Sequence, residues 1–248
     1  MRVDGSGNGR RRDRGPRLSL LGCFDLDLGL GSGHVDLPPF AQRLVAYLAV
    51  HDGPIGRMRI AGALWPDVED AHAQANLRTS LWRLRVATHR VVHTVGGTLR
   101  FAEDISVDLH VSEALAAGIL HHGARSDPSS IPTGSLTADL LPDWDDEWLV
   151  YERERFHELR VRALEQLCDD FTACGAYADA VRCGLLAIEA EPFRETAHRA
   201  VIRTHLAEGN PAEAVRHFRS LARRLHDELG ATPSSETSAL VRELVGTA

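Results

Sequence analysis

The sequence predicts a mostly α-helical chain with a small amount of antiparallel β-structure. A three-helix domain closed by a β-hairpin comes first, followed by an all-α domain of helical repeats. Three observations carry this reading. In HAQANLRTSLWRLRVATHR (72–90), Leu77, Leu81 and Leu84 recur at i, i+4 and i+7, the seam of an amphipathic helix. Directly after it, VVHTVGGTLRFAED alternates apolar and polar residues on both sides of Gly96-Gly97, the pattern of a tight hairpin. From Asp145 onward the pattern is helical throughout, and landmark residues repeat 34 positions apart.

Taken in order, MRVDGSGNGRRRDRGPR (1–17) is Gly- and Arg-rich and is expected to be a disordered tail. A solvated tail is the preferred reading of Arg10–Arg14; an arm touching DNA nonspecifically is the other. Leu21-Gly22-Cys23 resembles a lipoprotein cleavage site, but the apolar run 18–21 is too short for a signal peptide core. LSLLGCFDLDLGLGSGHVDLP has period-2 alternation broken by Gly, which predicts short antiparallel strands. FAQRLVAYLAVH is a first helix with Leu44, Tyr47 and Leu48 on one face. RMRIAGALWP is a second, with Met58, Ala61, Leu64 and Trp65 inward and Pro66 as its stop. The basic helix from Ala71 to Arg90 is the third. DISVD (104–108) is a last strand or exit segment, and VSEALAAGIL is helical. GARSDPSSIPTGSLTADLLPDW reads as a long surface loop. The domain boundary is placed near Asp104, giving a tail at 1–17, a first domain at 18–104 and a second at 105–248.

The repeat in the second domain pairs Gly175 with Gly209, Ala180 with Ala214 and Val181 with Val215. A period of 34 is that of the tetratricopeptide helix-turn-helix unit. Ala180, Ala187 and Ala214 fall where two helices must approach closely, Phe218 at an aromatic position, and Pro192 where a second helix stops. His198 and His205 stand where apolar residues are usual. Such arrays bind peptides or proteins on a concave face, or serve only structure or dimer formation.

Charge separates the halves. Residues 1–125 hold 15 Arg against 13 acids, and residues 126–248 hold 13 Arg against 22 acids, within a chain of net charge −7. A basic-leaning half followed by an acidic half suits a nucleic-acid reader joined to a protein-contacting module. All 28 basic residues are Arg, which excludes a P-loop lysine, Schiff-base chemistry and a catalytic lysine. Cys23, Cys168, Cys174 and Cys183 show no CxxC spacing and read as reduced thiols. The 13 His show no metal-ligand spacing, so no metal and no cofactor are expected. No nucleophile motif or paired carboxylate site is present, and the chain is not read as an enzyme. Asp143, Asp145, Asp146 and Glu147 beside Trp144 and Trp148 look like a helix start.

The stretch from Ala71 to Ala102 contains no acid at all. At 100° per residue the face opposite the leucines carries His72, Ala75, Asn76, Thr79, Trp82, Arg83 and Val86, with Arg78 and Arg85 on one flank. Arg bonds guanine O6 and N7 in pairs, Asn does the same for adenine N6 and N7, and a Thr methyl touches thymine, so this face suits a major groove. A solvated helix whose Arg stems cover their neighbours would have the same composition. Three helices followed by a hairpin make the winged form of the helix-turn-helix, with Thr98 and Arg100 of the wing as candidate phosphate contacts.

These motifs together resemble the Streptomyces antibiotic regulatory protein family of transcriptional activators. The residues that carry the resemblance are LPPFAQRLVAYLAVH, ALWPD, ANLRTSLWRLR, LLPDWDDEWLVYERERFHELRVRALEQL, EPFRETAHRAVIRTHLAEGNPAEAVRHF and DELGATPS, spread from Leu18 to Leu244. The resemblance implies an OmpR-type winged helix-turn-helix followed by a bacterial transcriptional activation domain of tetratricopeptide-like helices. It further implies binding to promoter direct repeats as a pair of copies, recruitment of RNA polymerase holoenzyme, and control of an antibiotic or other secondary-metabolite gene cluster. A cytoplasmic, nucleoid-associated protein without a membrane span follows. ANLRTSLWRLR is then the recognition helix, and the DNA-contacting residues are Asn76, Arg78, Thr79, Trp82, Arg83, Arg85, Arg90, Thr98 and Arg100. Trp82 has two readings, packing on a sugar or closing the domain core. His72 departs from the Arg common at the helix start. The reading from another class is a tetratricopeptide-like interaction scaffold with a degenerate DNA-binding domain, which would have no use for the acid-free block.

Overall fold

The computed structural model describes residues 15–29, 33–88, 90–122 and 133–242. The Arg-rich tail at 1–14, the tip of the second domain's loop at 123–132 and Leu244 lie outside them. Contacts divide the described chain into two units. The first runs to His110 and includes Leu140–Val150; the second comprises Val111–Asp139 and Tyr151 onward.

The first unit opens with β1 (Arg17–Ser19) and β2 (Asp25–Asp27), paired antiparallel with Leu18 opposite Leu26. Both leucines are fully buried, as period-2 alternation requires. β6 (Ser106–Val107) lies on the other side of β1, and this pairing is parallel, so the sheet order is β2-β1-β6 and the sheet is mixed rather than wholly antiparallel. A parallel neighbour needs a long crossover, and here it is supplied by the three helices and hairpin that lie between β1 and β6 in sequence.

Those helices are α1 (Pro39–Val50), α2 (Arg57–Leu64) and α3 (Asp70–Ala87). Pro39 sits at the first position of α1, where its missing N–H costs nothing. All residues from Leu44 to Val50 are buried, so α1 is the central helix rather than a surface one. In α2 the inward residues are Ile60, Ala61 and Leu64, not Met58, which is 60% exposed. The helix begins only at Arg57, so its first turn projects from the body and Met58 contacts Gln74 instead of the core. β4 (Val92–Val95) and β5 (Thr98–Phe101) form the hairpin, and β3 (Ile55–Gly56) adds a third strand beside β5.

Leu140–Val150, the end of the stretch that reads as a surface loop, packs into this unit. The Leu141 N–H donates to the Leu20 carbonyl (2.9 Å), and Leu140 and Leu141 are buried. Trp144 stacks on Phe24 with ring centroids 5.9 Å apart. Asp146, 7% exposed, accepts from both Nε (3.0 Å) and an Nη (2.9 Å) of Arg43 on α1, and from the Trp148 indole (3.2 Å). Trp148 meets Tyr47 edge-on at 5.1 Å. Apolar residues spaced between Pro and Asp hide this packing from a loop-signal reading, because their partners lie about a hundred residues away. Asp108 makes a second tie: it accepts from the N–H groups of Leu20 (2.8 Å), Leu21 (3.2 Å) and Leu109 (2.8 Å). Burial pushes its carboxyl above the ordinary value against the pull of these donors.

The second unit is helical. It takes in most of α4 (Asp108–His122), a 3₁₀ turn at Thr133–Leu136, and most of α5 (Glu147–Ala173). α6 (Tyr177–Ala190), α7 (Glu195–Ala207), α8 (Pro211–Leu229) and the short α9 (Ser235–Ala239) follow. The 34-residue period is visible in the backbone. Gly175 and Gly209 both have positive φ (76° and 84°) and end α5 and α7. After each, the next N–H reaches back five residues, Ala176 to Phe171 (2.9 Å) and Asn210 to His205 (2.8 Å). Ala180 and Ala214 are fully buried one turn into the following helix. Gly184 marks a close approach: a Cβ there would clash with Val201 of α7 and stand 3.1 Å from Cys168 Sγ of α5.

His198 and His205 find polar partners in this core. The Pro192 carbonyl can only accept, so His198 Nε2 carries the proton (3.0 Å), and His198 Nδ1 accepts from His217 Nε2 (3.0 Å). Burial lowers the pKa of both rings; His217, also facing the His198 and His205 imidazoles, is pushed down to about 4.

Three outcomes are expected. Arg43→Ala leaves the buried Asp146 carboxylate without its counter-ion and should destabilise the first unit by about 3 kcal/mol, read by denaturant unfolding. Gly184→Ala should cost about 1–3 kcal/mol through overpacking, and an unchanged melting temperature would show that α6 and α7 are not so closely apposed. The third concerns pH. Unfolded histidine titrates near pH 6.5, so below that the unfolded chain binds more protons than the fold, whose His198 and His217 stay neutral. Stability is therefore whole above about pH 6.5 and falls as pH drops toward 4. His217→Gln, which keeps a donor for His198, should flatten that part of the pH–melting profile.

Candidate nucleic-acid interface

The candidate interface is built on α3. Its apolar side is Ala73, Leu77, Ser80 and Leu84, all buried, with Leu81 half-buried at the edge. This stripe faces α1 and α2, which fixes the rotation of the helix about its axis. The opposite side is left open: His72, Asn76, Arg78, Thr79, Trp82, Arg83, Arg85 and Val86 are exposed, Trp82 by 65% and Val86 by 70%. Trp82 is thus not part of the core, which removes one of its two readings. The helix ends at Ala87, and Thr88 turns into extended backbone, earlier than the expected end at Arg90. Thr88 is buried, and its hydroxyl accepts from the Arg90 N–H (3.3 Å), closing the helix before Arg90 can join it.

The hairpin that follows has the predicted turn. Gly96 and Gly97 both have positive φ (54° and 87°), the backbone of a two-residue turn whose twist matches the strands. The register places Val95 opposite Thr98 and His93 opposite Arg100. The Thr98 hydroxyl donates to the Val95 carbonyl (2.5 Å), so it braces the turn. The Thr79 hydroxyl donates to the Ala75 carbonyl (3.0 Å), which turns its methyl outward as the free group.

The arginines fall into two sets. Arg90 is held by Asp104 (3.3 Å) and Arg100 by Glu103, both just past the end of the acid-free stretch. Among the described residues, Arg57, Arg78, Arg83 and Arg85 have no carboxylate within ion-pair distance. Arg78 and Arg85 border a groove of about 220 Å³ between α3 and β4, and Arg57 from α2 reaches the same groove. Sequence reading weighs RMRIAGALWP by its apolar face and passes over Arg57. Its only signal is a basic residue opening a short helix that lies next to α3 in the fold. Among the described residues no cluster of three or more His, Cys, Asp or Glu is arranged to hold a metal ion. No helix among them is long and apolar enough to cross a membrane.

Comparison with known proteins adds to this geometry. Residues 133–245 match the model of the bacterial transcriptional activator domain. No curated protein matches the chain. Among solved structures, the chain is similar to Mycobacterium tuberculosis EmbR in complex with a low affinity phosphopeptide, with a TM-score of 0.74 at 19% identity. That match covers 94% of this chain, which spans 65% of the length of the EmbR chain, and it shows a shared fold. Residues 133–245 thus carry a bacterial transcriptional activator domain, and the chain around it shares the fold of EmbR.

Proposed function

We propose that the protein binds promoter DNA sequence-specifically through α3 and activates transcription through its helical second domain. One observation carries the DNA reading: α3 turns an acid-free face of Asn76, Arg78, Thr79, Arg83 and Arg85 outward, and among the described residues none of its arginines is neutralised by an acid. Unpaired guanidinium groups beside an amide and a methyl match the acceptor and methyl pattern of a major groove. Asn76, Thr79 and Arg83 share one stripe of the helix at i, i+3 and i+7 and are assigned to base edges. The wing, with Thr98 and Arg100, lies along the flanking backbone; Arg90 and Arg100 would exchange Asp104 and Glu103 for phosphates on binding.

The resemblance to antibiotic regulators extends the proposal. Two copies bind short direct repeats head-to-tail, a heterologous arrangement that pairs the protein on DNA without a two-fold axis. The complex recruits RNA polymerase holoenzyme to a secondary-metabolite gene cluster. The protein works in the cytoplasm, at the nucleoid, as a regulator and not an enzyme.

Fluorescence anisotropy against the promoter fragments flanking its own gene, over a salt series with random DNA as competitor, tests the reading. Binding to one fragment that survives competitor, with a steep salt slope, is expected. Equal weak binding to all fragments would favour an interaction scaffold. Arg83→Ala should weaken the specific complex by about 1–3 kcal/mol and relax preference at one base position, leaving random DNA nearly unaffected.

A further inference from the structure

The groove beside α3 has a composition that a solvated surface does not need. Its floor is apolar, made by Leu81, Leu84 and Val92, and the exposed indole of Trp82 forms one wall. Three guanidinium groups line it: Arg57 from the first turn of α2, and Arg78 and Arg85 from α3. None of the three has an acidic partner among the described residues, although Asp104 and Glu103 neutralise Arg90 and Arg100 elsewhere in the same unit. Gathering like charges around one concavity without a counter-ion costs the free protein electrostatic energy, and an anion bound there relieves it. Arg78, Trp82 and Arg85 stand at i, i+4 and i+7, a stripe distinct from that of Asn76, Thr79 and Arg83.

We propose that this groove seats the sugar–phosphate backbone of bound DNA, with one phosphate clamped by Arg57, Arg78 and Arg85 and the adjoining deoxyribose packed on Trp82. The inference rests on the DNA-binding reading above and divides its labour. One stripe of α3 reads bases, the other holds the strand, and Arg57 sets the depth of α3 in the groove from a neighbouring helix. The chemistry fits each part. Guanidinium N–H groups bond phosphate oxygens in pairs, and several of them on one phosphate give it a fixed position. The sugar face is apolar enough to lie on an indole and on the leucine floor. The groove, about 220 Å³, has room for a phosphate and part of its sugar. A phosphate contact carries no sequence information; it fixes register.

The test is a salt series on the full chain with Arg57→Ala and Arg57→Lys, on the specific fragment and on random DNA, combined with a scan of single neutral methylphosphonates across the site. Arg57→Ala should lower the slope of log affinity against log salt by about 0.9 and weaken both DNAs by the same factor. Arg57→Lys should restore most of the slope. One methylphosphonate position should weaken Arg57→Ala by a smaller factor than it weakens the parent protein, since Arg78 and Arg85 still hold that phosphate in the variant. Parent-like slope in Arg57→Ala, or losses that add at every methylphosphonate position, would overturn the clamp while leaving DNA binding intact. A loss confined to one base pair would make Arg57 a base reader and overturn it too. If the parent protein binds no fragment above random DNA and shows no salt dependence, the DNA reading itself fails, and the clamp falls with it. Arg57→Gln, with the melting temperature of each variant, separates loss of charge from loss of fold.

Discussion

Burial of one side of α3 is the constraint on which the proposed DNA-binding surface depends. Leu77 and Leu84, with Ala73 and Ser80 between them, sit against α1 and α2 and allow the helix one rotation only. Fully burying a leucine is worth about 1.5–3 kcal/mol, so turning the helix far enough to hide its arginines would expose several such residues at once. The polar face is therefore held in place by the apolar one. Ala73 and Ser80 are buried on the same side as the leucines, and α3 packs against α1, whose own residues from Leu44 to Val50 are all buried.

Two long-range polar ties support that first unit. Asp108 collects three backbone N–H groups where β1 ends and α4 begins, and Asp146 is held by Arg43 through two N–H groups of one guanidinium. Each satisfies a carboxylate, half-buried at Asp108 and buried at Asp146, with fixed donors, which makes it specific rather than merely attractive. The Arg43 pair lies one turn from Tyr47 on α1, against which Trp148 packs, so polar and aromatic contacts secure the same return segment.

The second unit solves a different problem. Its helices approach until a side chain at Gly184 has no room, and buried polar groups are then tolerable only when paired. Thr204, fully buried, donates to the Ala200 carbonyl (3.0 Å) and lies 2.7 Å from the Thr172 hydroxyl. The histidines do the same through Pro192 and one another. Arg194 binds Glu158, Glu165 and Glu191 together, and its guanidinium beside Glu158 helps to pull that carboxyl down to about 2.

What the sequence determined by itself is what depends on neighbours along the chain. The leucine seam of α3, the Gly96-Gly97 turn, and the 34-residue echo of Gly175 and Ala180 in Gly209 and Ala214 are local periodicities, and local sterics enforce them. Tertiary structure decided the rest. The parallel partner of β1 lies across the whole helical segment, and a strand of two residues carries no pattern that names its neighbour. Met58 lost its place in the core because α2 starts one residue before it. Leu140–Val150 became part of the first unit through partners about a hundred positions away. Arg57 joined Arg78 and Arg85 because α2 packs on α3. The sequence marks which residues are charged; only the fold decides which charges meet, because distance in space, not along the chain, sets their interaction.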